Sequence, residues 1–240
     1  MTASPLAVLV LVLAAAPSRA QEAEPPLVDA VKTGDLAGLK SRLASGADVN
    51  ARDAHGWSAP MWAAGHAETS LLKALLDAGG NAAPADVPGF SAIVEAAKGG
   101  RAGNVALLAA RGHDCSAKDA TGTPALAYAA AVSTPTLSAL LACKARVGAR
   151  DADGRTALIR AAQLGGAESL RRLLAAGARA DAKDKLGYTA LMWAAHGGWT
   201  ESVKVLLAAG SDPKTRAPDG RSAREMAESR GHAAAAALLP

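Results

Sequence analysis

The sequence predicts an all-α solenoid built from stacked helix–turn–helix units of about 33 residues. Three observations predict it: a glycine series with that period, apolar residues at helical spacing within each period, and a composition rich in alanine. Half of the 240 residues are apolar, but the aromatic ones are only four Trp, two Tyr and one Phe. Because alanine favours helix and buries little surface, such a chain needs short helices in tight, regular packing.

The N-terminus has the pattern of a secretory signal peptide at residues 1–20. Its apolar run at 6–16 is too short to span a bilayer, and small residues suit cleavage after Ala20. The segment before this run departs from the pattern because it has no Lys or Arg, so an uncleaved N-terminal anchor is the alternative. We expect export to the periplasm or beyond, a polar leader at 21–26, and no membrane insertion once the signal is removed.

Two glycine series mark the repeat. The first is spaced at intervals of 33, 33, 32, 33 and 33 residues: Gly56, Gly89, Gly122, Gly154, Gly187 and Gly220. The second keeps the same period and has Lys144 at one position: Gly46, Gly79, Gly112, Gly177 and Gly210. Chance would not hold this spacing across five intervals, so the chain is expected to consist of equivalent units.

Each unit is predicted to contain two helices. A hydroxyl residue two positions after the turn glycine is suited to cap the first helix, as at Ser58, Ser91, Thr156, Thr189 and Ser222. Gly-Gly pairs at 99–100, 165–166 and 197–198 then predict a tight turn. The second helix has apolar residues at helical spacing, as in Leu170, Leu173 and Leu174, and the glycine after it suits a left-handed cap.

The phrase Asp-x-x-Gly-x-Thr-Ala-Leu…Ala-Ala…Leu-Leu-Ala-Ala-Gly-Ala, best seen at 151–178 and 184–210, resembles the ankyrin repeat. The resemblance extends over about 27–239. It implies helix–turn–helix units joined by β-hairpin-like loops and stacked into a curved array with a concave groove. We divide the domain at 27–240 into an N-terminal cap at 27–52, repeats from 53, 86, 119, 151 and 184, and a C-terminal cap at 217–240.

Departures from the family pattern bear on stability. The family's His in the first helix is replaced in every unit, by Met61 and Met192 among others, so the hairpins are expected to be less tightly joined. The unit that starts at Asp119 is one residue short and has Lys144 in place of its capping glycine. Because each unit packs only against its neighbours, we expect the weakest stacking there.

The sequence contains no nucleophile, zinc or phosphate-loop motif, so we expect neither an enzyme nor a cofactor. His55 and His66 fall in one unit, but two ligands without a nearby carboxylate or thiol make a poor zinc site, and solvated histidines are favoured. The net charge is +4, or +3 without Arg19, and no block of like charges occurs. Nucleic acid is therefore not an expected partner.

Aromatic and arginine side chains share two positions of the repeat. One set directly follows the turn glycine, at the hairpin tip: Trp57, Phe90, Arg155, Tyr188 and Arg221. The other lies five residues further on, in the first helix: Trp62, Tyr128, Arg160 and Trp193. We expect exposed tips that contact a partner, with packing across neighbouring hairpins as the alternative. For the first-helix aromatic residues, packing between units is favoured over partner contact.

A row of basic residues precedes the hairpins: Arg52, Lys118, Arg150, Lys183 and Arg216. All but the last are followed by Asp, which favours a local charge ladder over a strip that binds acidic groups. Separately, Cys115 and Cys143 give an even cysteine count, which permits a disulfide in an oxidising compartment. Two small buried side chains are the alternative.

These patterns predict a binding module. The hypothesis is a monomeric, exported adaptor that holds an unidentified protein partner in its concave groove and at its hairpin tips. An inhibitor or immunity-type protein, which blocks an enzyme or toxin of the same compartment, would need the same surface and is the first alternative. A metal-binding or enzymatic protein built around His55 and His66 is the weaker second alternative.

Overall fold

The computed structural model of the chain describes residues 24–82 and 89–240. The predicted signal peptide and the start of the repeat predicted from residue 86 lie outside these residues. Fourteen helices form in the described part of the chain, which contains isolated β-bridges but no β-sheet. The all-α repeat architecture predicted from the sequence is thus confirmed.

The helices alternate along the chain between a first and a second helix of each unit. The first helices are α1 (Pro26–Thr33), α3 (Ala59–His66), α5 (Ala92–Lys98), α7 (Ala125–Val132), α9 (Ala157–Gln163), α11 (Ala190–His196) and α13 (Ala223–Ser229). The second helices are α2 (Leu36–Ala44), α4 (Thr69–Asp77), α6 (Ala102–Ala110), α8 (Thr134–Ala142), α10 (Ala167–Ala175), α12 (Thr200–Ala208) and α14 (Ala233–Ala236). Helix α1 begins one residue before the predicted domain boundary at 27.

Hydroxyl caps begin three of the first helices. The side chains of Thr156, Thr189 and Ser222 each accept a hydrogen bond from the backbone N–H three residues on. Ser58 and Ser91 also lie at the N-cap, but within the described residues their side chains make no cap bond. Each capping bond satisfies one of the N–H groups that a helix start leaves unpaired.

Left-handed residues end the second helices, as the second glycine series predicts. The glycines at this position have φ between 82° and 88°. Lys144 has φ 62° and is, within the described residues, the sole non-glycine with positive φ. An L-residue in this conformation costs about 1–2 kcal/mol, so the unit that starts at Asp119 contains a strained joint.

The core consists of small first helices and leucine-rich second helices. Each first helix packs against the first helix of the next unit, and most of its alanines are buried. The second helices bury leucines that the helical spacing predicted, as at Leu170 and Leu173. One polar group links two units: the buried Asn104 amide donates to the carbonyls of Ala63, Ala64 and Ala67 at the end of α3, each at 3.0 Å.

A disulfide joins Cys115 to Cys143. Cys115 lies in the loop after α6, Cys143 is the C-cap of α8, and their Cα atoms are 6.2 Å apart. The bond therefore links two consecutive units immediately before Lys144. None of the described helices has the length and hydropathy of a membrane span.

Candidate binding surface

An aspartate at the start of four described hairpins holds each of them together, and the hairpin at 216–222 has Ala217 at this position. The Oδ1 atoms of Asp53, Asp119, Asp151 and Asp184 each accept backbone N–H groups from the residues two and four positions on. For Asp184 the distances are 3.0 Å from Leu186 and 2.9 Å from Tyr188. These bonds hold each loop in a tight turn. They stabilise the hairpins of this protein, in which the His of the family's first helix is replaced.

The second oxygen of the same aspartates binds the side chain nine residues later, in the first helix. Trp62 Nε1 donates to Asp53 Oδ2 at 2.7 Å. The Tyr128 hydroxyl donates to Asp119 at 2.8 Å, and the pairs Arg160–Asp151 and Trp193–Asp184 have distances of 2.9 Å. The predicted first-helix set is thus fixed in one orientation by its own hairpins.

The predicted charge ladder is wrong in the units that start at residues 119 and 151. Among the described residues, the ion pairs of these two aspartates run to Lys98 and Arg160 on first helices. The basic row instead donates to backbone carbonyls: Lys118 to Arg150 at 2.8 Å, and Arg150 to Gly154 and Lys183 at 2.6 Å. The carboxylates turn inward because the hairpin amides and the first-helix side chains offer them two bonding directions at once.

Three aromatic rings meet in the N-terminal half of the array. The ring of Trp57 lies 5.1 Å from that of Trp62 and 5.3 Å from that of Phe90, which belongs to the next unit. Lys32 Nζ lies 4.4 Å above the Trp62 ring. Trp57 and Phe90 are half-buried, not fully exposed as expected, because rings of adjacent hairpins cover one another.

A second aromatic group lies near the C-terminal end. Tyr188 packs edge-on against Trp193 at 5.4 Å, and its hydroxyl donates to Asp219 of the following hairpin at 3.3 Å. Arg155, from the preceding hairpin, lies 5.8 Å from the Trp193 ring. Tyr188 is half-buried and Arg221 is exposed. Between the two groups, Tyr128 has Lys98 5.1 Å from its ring.

The surface formed by the hairpin tips and the accessible sides of the first helices is called the hairpin face below. It contains all nine predicted contact residues: Trp57, Trp62, Phe90, Tyr128, Arg155, Arg160, Tyr188, Trp193 and Arg221. A cavity of about 100 Å³ opens on it between α11 and α13. A second, of about 250 Å³, lies beside Tyr128, Arg160 and Leu164. Neither cavity was foreseen, because each is lined by residues of two units.

Hydrogen bonds set the ionisation of two hairpin aspartates, Asp119 and Asp53. Burial alone would raise the pKa of Asp119, but bonds from Thr121, Tyr128 and Thr123 lower that pKa to about 2. Burial and the Asp119 carboxylate together raise the pKa of Tyr128. The pKa of Asp53 is lowered in the same way: burial opposes the shift, and bonds from Trp57, Trp62 and His55 outweigh it. The carboxylates are therefore charged acceptors over the whole physiological range.

The predicted two-histidine alternative has no support from neighbouring ligands. Both His55 and His66 are exposed, and the His66 ring lies 5.3 Å from that of Trp62. In the ranges that the structure describes, no group of three His, Cys, Asp or Glu side chains is placed to hold a metal ion.

Comparison with known protein families identifies a match. The family described as ankyrin repeats (3 copies) matches residues 27–119, 94–184, 126–217 and 162–240, which together extend from 27 to 240. No curated protein matches the sequence.

Proposed function

Since this chain belongs to the ankyrin-repeat family, whose repeats generally mediate protein–protein interaction, we propose that it is an exported adaptor that binds a protein partner through its hairpin face. The partner contacts in this proposal are the nine aromatic and arginine side chains of that face. Members of the family are typically not enzymes, and the proposal assigns this chain no catalytic step.

One observation supports this function above the others: the hairpin aspartates fix the orientation of the first-helix side chains before any partner arrives. The bond from Trp193 Nε1 to Asp184 at 2.9 Å is one of four such links. Immobilising a side chain on binding costs about 0.5–1.5 kcal/mol, and a side chain that is already held avoids most of that cost. Trp, Tyr and Arg also dominate the energetics of protein interfaces, so a few of them suffice as anchors.

Two features support an oxidising, exported environment. The N-terminal segment has the pattern of a signal peptide, and Cys115 and Cys143 are joined as a disulfide. Disulfides persist in the periplasm and outside cells, and are rare where thiols are kept reduced. We therefore propose that the working protein lies in the periplasm or in the medium, and we retain a monomer as part of the proposal.

Affinity capture with a surface variant tests the proposal. The tagged chain is used to capture proteins from cell-envelope extract, and the captured proteins are identified by mass spectrometry. The variant Trp57→Ala/Phe90→Ala/Tyr188→Ala removes the aromatic tips and is expected to lose the partner that the unmodified protein retains. Circular dichroism at the assay temperature verifies that the variant is folded, because these rings are half-buried.

The matched control is Trp199→Ala. Trp199 is exposed to 43% and lies in the turn between α11 and α12, outside the hairpin face. Retention of the partner by this control together with its loss by the triple variant supports the proposal, and equal capture by both rejects it. If the partner is an enzyme or toxin that the adaptor inactivates, the inhibitor alternative is the correct form of this function.

A further inference from the structure

The cavity between α11 and α13 has the shape of a site for one side chain. It is lined by Tyr188, Met192, Trp193, His196, Arg221 and Met226. Met192 is 1% exposed and Met226 is 2% exposed, so the two thioethers form its base. Methionine side chains are flexible and polarisable, and they adapt to apolar groups of different shape.

The aromatic walls of the cavity offer an apolar surface to an incoming side chain. The Trp193 indole N–H is bound to Asp184 at 2.9 Å, and the Tyr188 hydroxyl is bound to Asp219 at 3.3 Å. Both polar atoms of the aromatic walls therefore have partners already. A cavity of about 150 Å³ holds benzene, so the present volume of about 100 Å³ favours a branched aliphatic side chain over an aromatic ring.

Two arginine side chains lie beside the cavity, one in its lining and one bound to the lining residue His196. Arg221 lies there in an ion pair with Asp219 at 2.7 Å, and Arg230 Nη2 lies 3.0 Å from His196 Nε2. Among the described residues, Arg230 has no carboxylate within ion-pair distance. Burial and the charges of Arg230, Arg221 and His232 lower the pKa of His196, so at pH 7 its neutral imidazole accepts one N–H of Arg230, and the other N–H groups of this guanidinium can donate to an anion.

We propose that this cavity receives a branched aliphatic side chain from an acidic segment of the protein partner, and that Arg230 and Arg221 bind the carboxylate of an adjacent Asp or Glu. This inference rests on the proposed function and names the partner's chemistry at one point of the hairpin face. Charge complementarity supports it, since an Asp or Glu would supply the carboxylate that Arg230 lacks. An internal segment fits because the hairpin face continues past the cavity to Arg160 and Tyr128.

A peptide library provides the probe. A random dodecapeptide library displayed on phage is selected against the purified protein, and the enriched peptides are synthesised. We expect them to contain Leu, Ile or Val next to Asp or Glu. Arg230→Gln is expected to weaken their binding about tenfold or more, because hydrogen bonds to charged groups are among the strongest in proteins. The control Arg171→Gln, on the exposed side of α10, is expected to bind them with unchanged affinity.

Methionine methyl resonances locate the bound peptide. The sequence has four methionines, and Met61 occupies the position in α3 that Met192 occupies in α11. With methyl-¹³C methionine, a peptide in the cavity shifts the resonances of Met192 and Met226 and leaves that of Met61 unchanged. The inference is overturned if the peptide shifts the resonance of Met61 instead. It is also overturned if the library yields no enriched peptides, peptides without acidic residues, or only peptides that bind through their carboxyl terminus. A different result would reject the proposed function: the triple variant and the Trp199→Ala control would capture the partner equally well.

Discussion

Asp184 and Trp193 lie nine residues apart in the chain and are joined by a hydrogen bond of 2.9 Å from the indole Nε1 to the carboxylate Oδ2. The other oxygen of Asp184 accepts two hairpin amides, so a single buried carboxylate fixes both the loop and the first-helix side chain. The same relationship occurs with Trp62, Tyr128 and Arg160 as the donors. It explains how loops without the family's His stay attached to their helices.

Replacing this carboxylate should destabilise the protein. In Asp184→Asn an NH₂ group replaces one of the two carboxylate oxygens. This group can only donate a hydrogen bond, and the N–H groups that it faces can only donate as well, so a bond is lost. Leaving a buried polar group unpaired costs about 1–3 kcal/mol, and we expect a loss of that size in the free energy of unfolding, measured with urea. A double-mutant cycle with Trp193→Phe isolates the bond, and fully additive losses would show that it contributes nothing.

The acid stability of the array should depend on Asp119. The pKa of this carboxyl is about 2 in the folded protein, below the usual value of 3.8. A lowered folded-state pKa gives stability that is present above the unfolded-state pKa and is lost as the pH falls through the folded-state value. We expect a contribution of about 1–2 kcal/mol after allowance for solvent screening, lost between about pH 4 and pH 2.

Urea unfolding of the protein and of Asp119→Asn between pH 5 and pH 2 measures this dependence. The difference in unfolding free energy between the two proteins is expected to shrink as the pH falls. Comparison with the variant removes the contribution of other carboxyls, such as Asp53, whose pKa is also lowered. A difference that stays constant over this range would contradict the assignment.

Lys144→Gly should stabilise the protein. Lys144 has φ 62°, where the equivalent glycines have φ above 80°. Relief of about 1–2 kcal/mol of strain exceeds the entropy cost of a new glycine, so the expected net gain is about 0.5–1 kcal/mol. Gly177→Lys is the matched reverse change, because an added Cβ at Gly177 meets no atom within 4 Å and only the backbone conformation opposes it. Thermal melts that move in the same direction for both variants would refute this explanation.

Reduction of the disulfide should loosen the joint between two units. The cysteines enclose a sequence separation of 28 residues, and a loop of this length corresponds to about 3.6 kcal/mol in the chain-entropy account. We expect dithiothreitol to lower the unfolding free energy and to speed hydrogen exchange of backbone amides between α6 and α9. Cys115→Ser/Cys143→Ser should match the reduced protein and be insensitive to dithiothreitol. Equal exchange in the oxidised and reduced proteins would exclude a stabilising role.

The sequence by itself determined the repeat, the helix pairs and the turns. These features are local: glycine takes positive φ without strain, hydroxyl residues cap helix starts, and leucines such as Leu170 and Leu173 recur at the helical period. The nine-residue spacing of Asp184 and Trp193 is also present in the sequence. It did not predict their hydrogen bond, because that bond forms only when the hairpin folds back onto its helix. The neighbouring basic residues therefore suggested a charge ladder that does not form around Asp119 and Asp151.

Tertiary structure decided what depends on stacking. Trp57 is half-buried because Phe90, 33 residues away, packs against its ring, and no local pattern reports that contact. The cavity at Met192 exists because the next unit supplies Met226 and Arg221 as its other wall. Likewise, the cysteine count alone did not decide whether a disulfide forms, because a disulfide requires two Cα atoms within about 7 Å. Stacking of the two loops brings the Cα atoms of Cys115 and Cys143 to 6.2 Å.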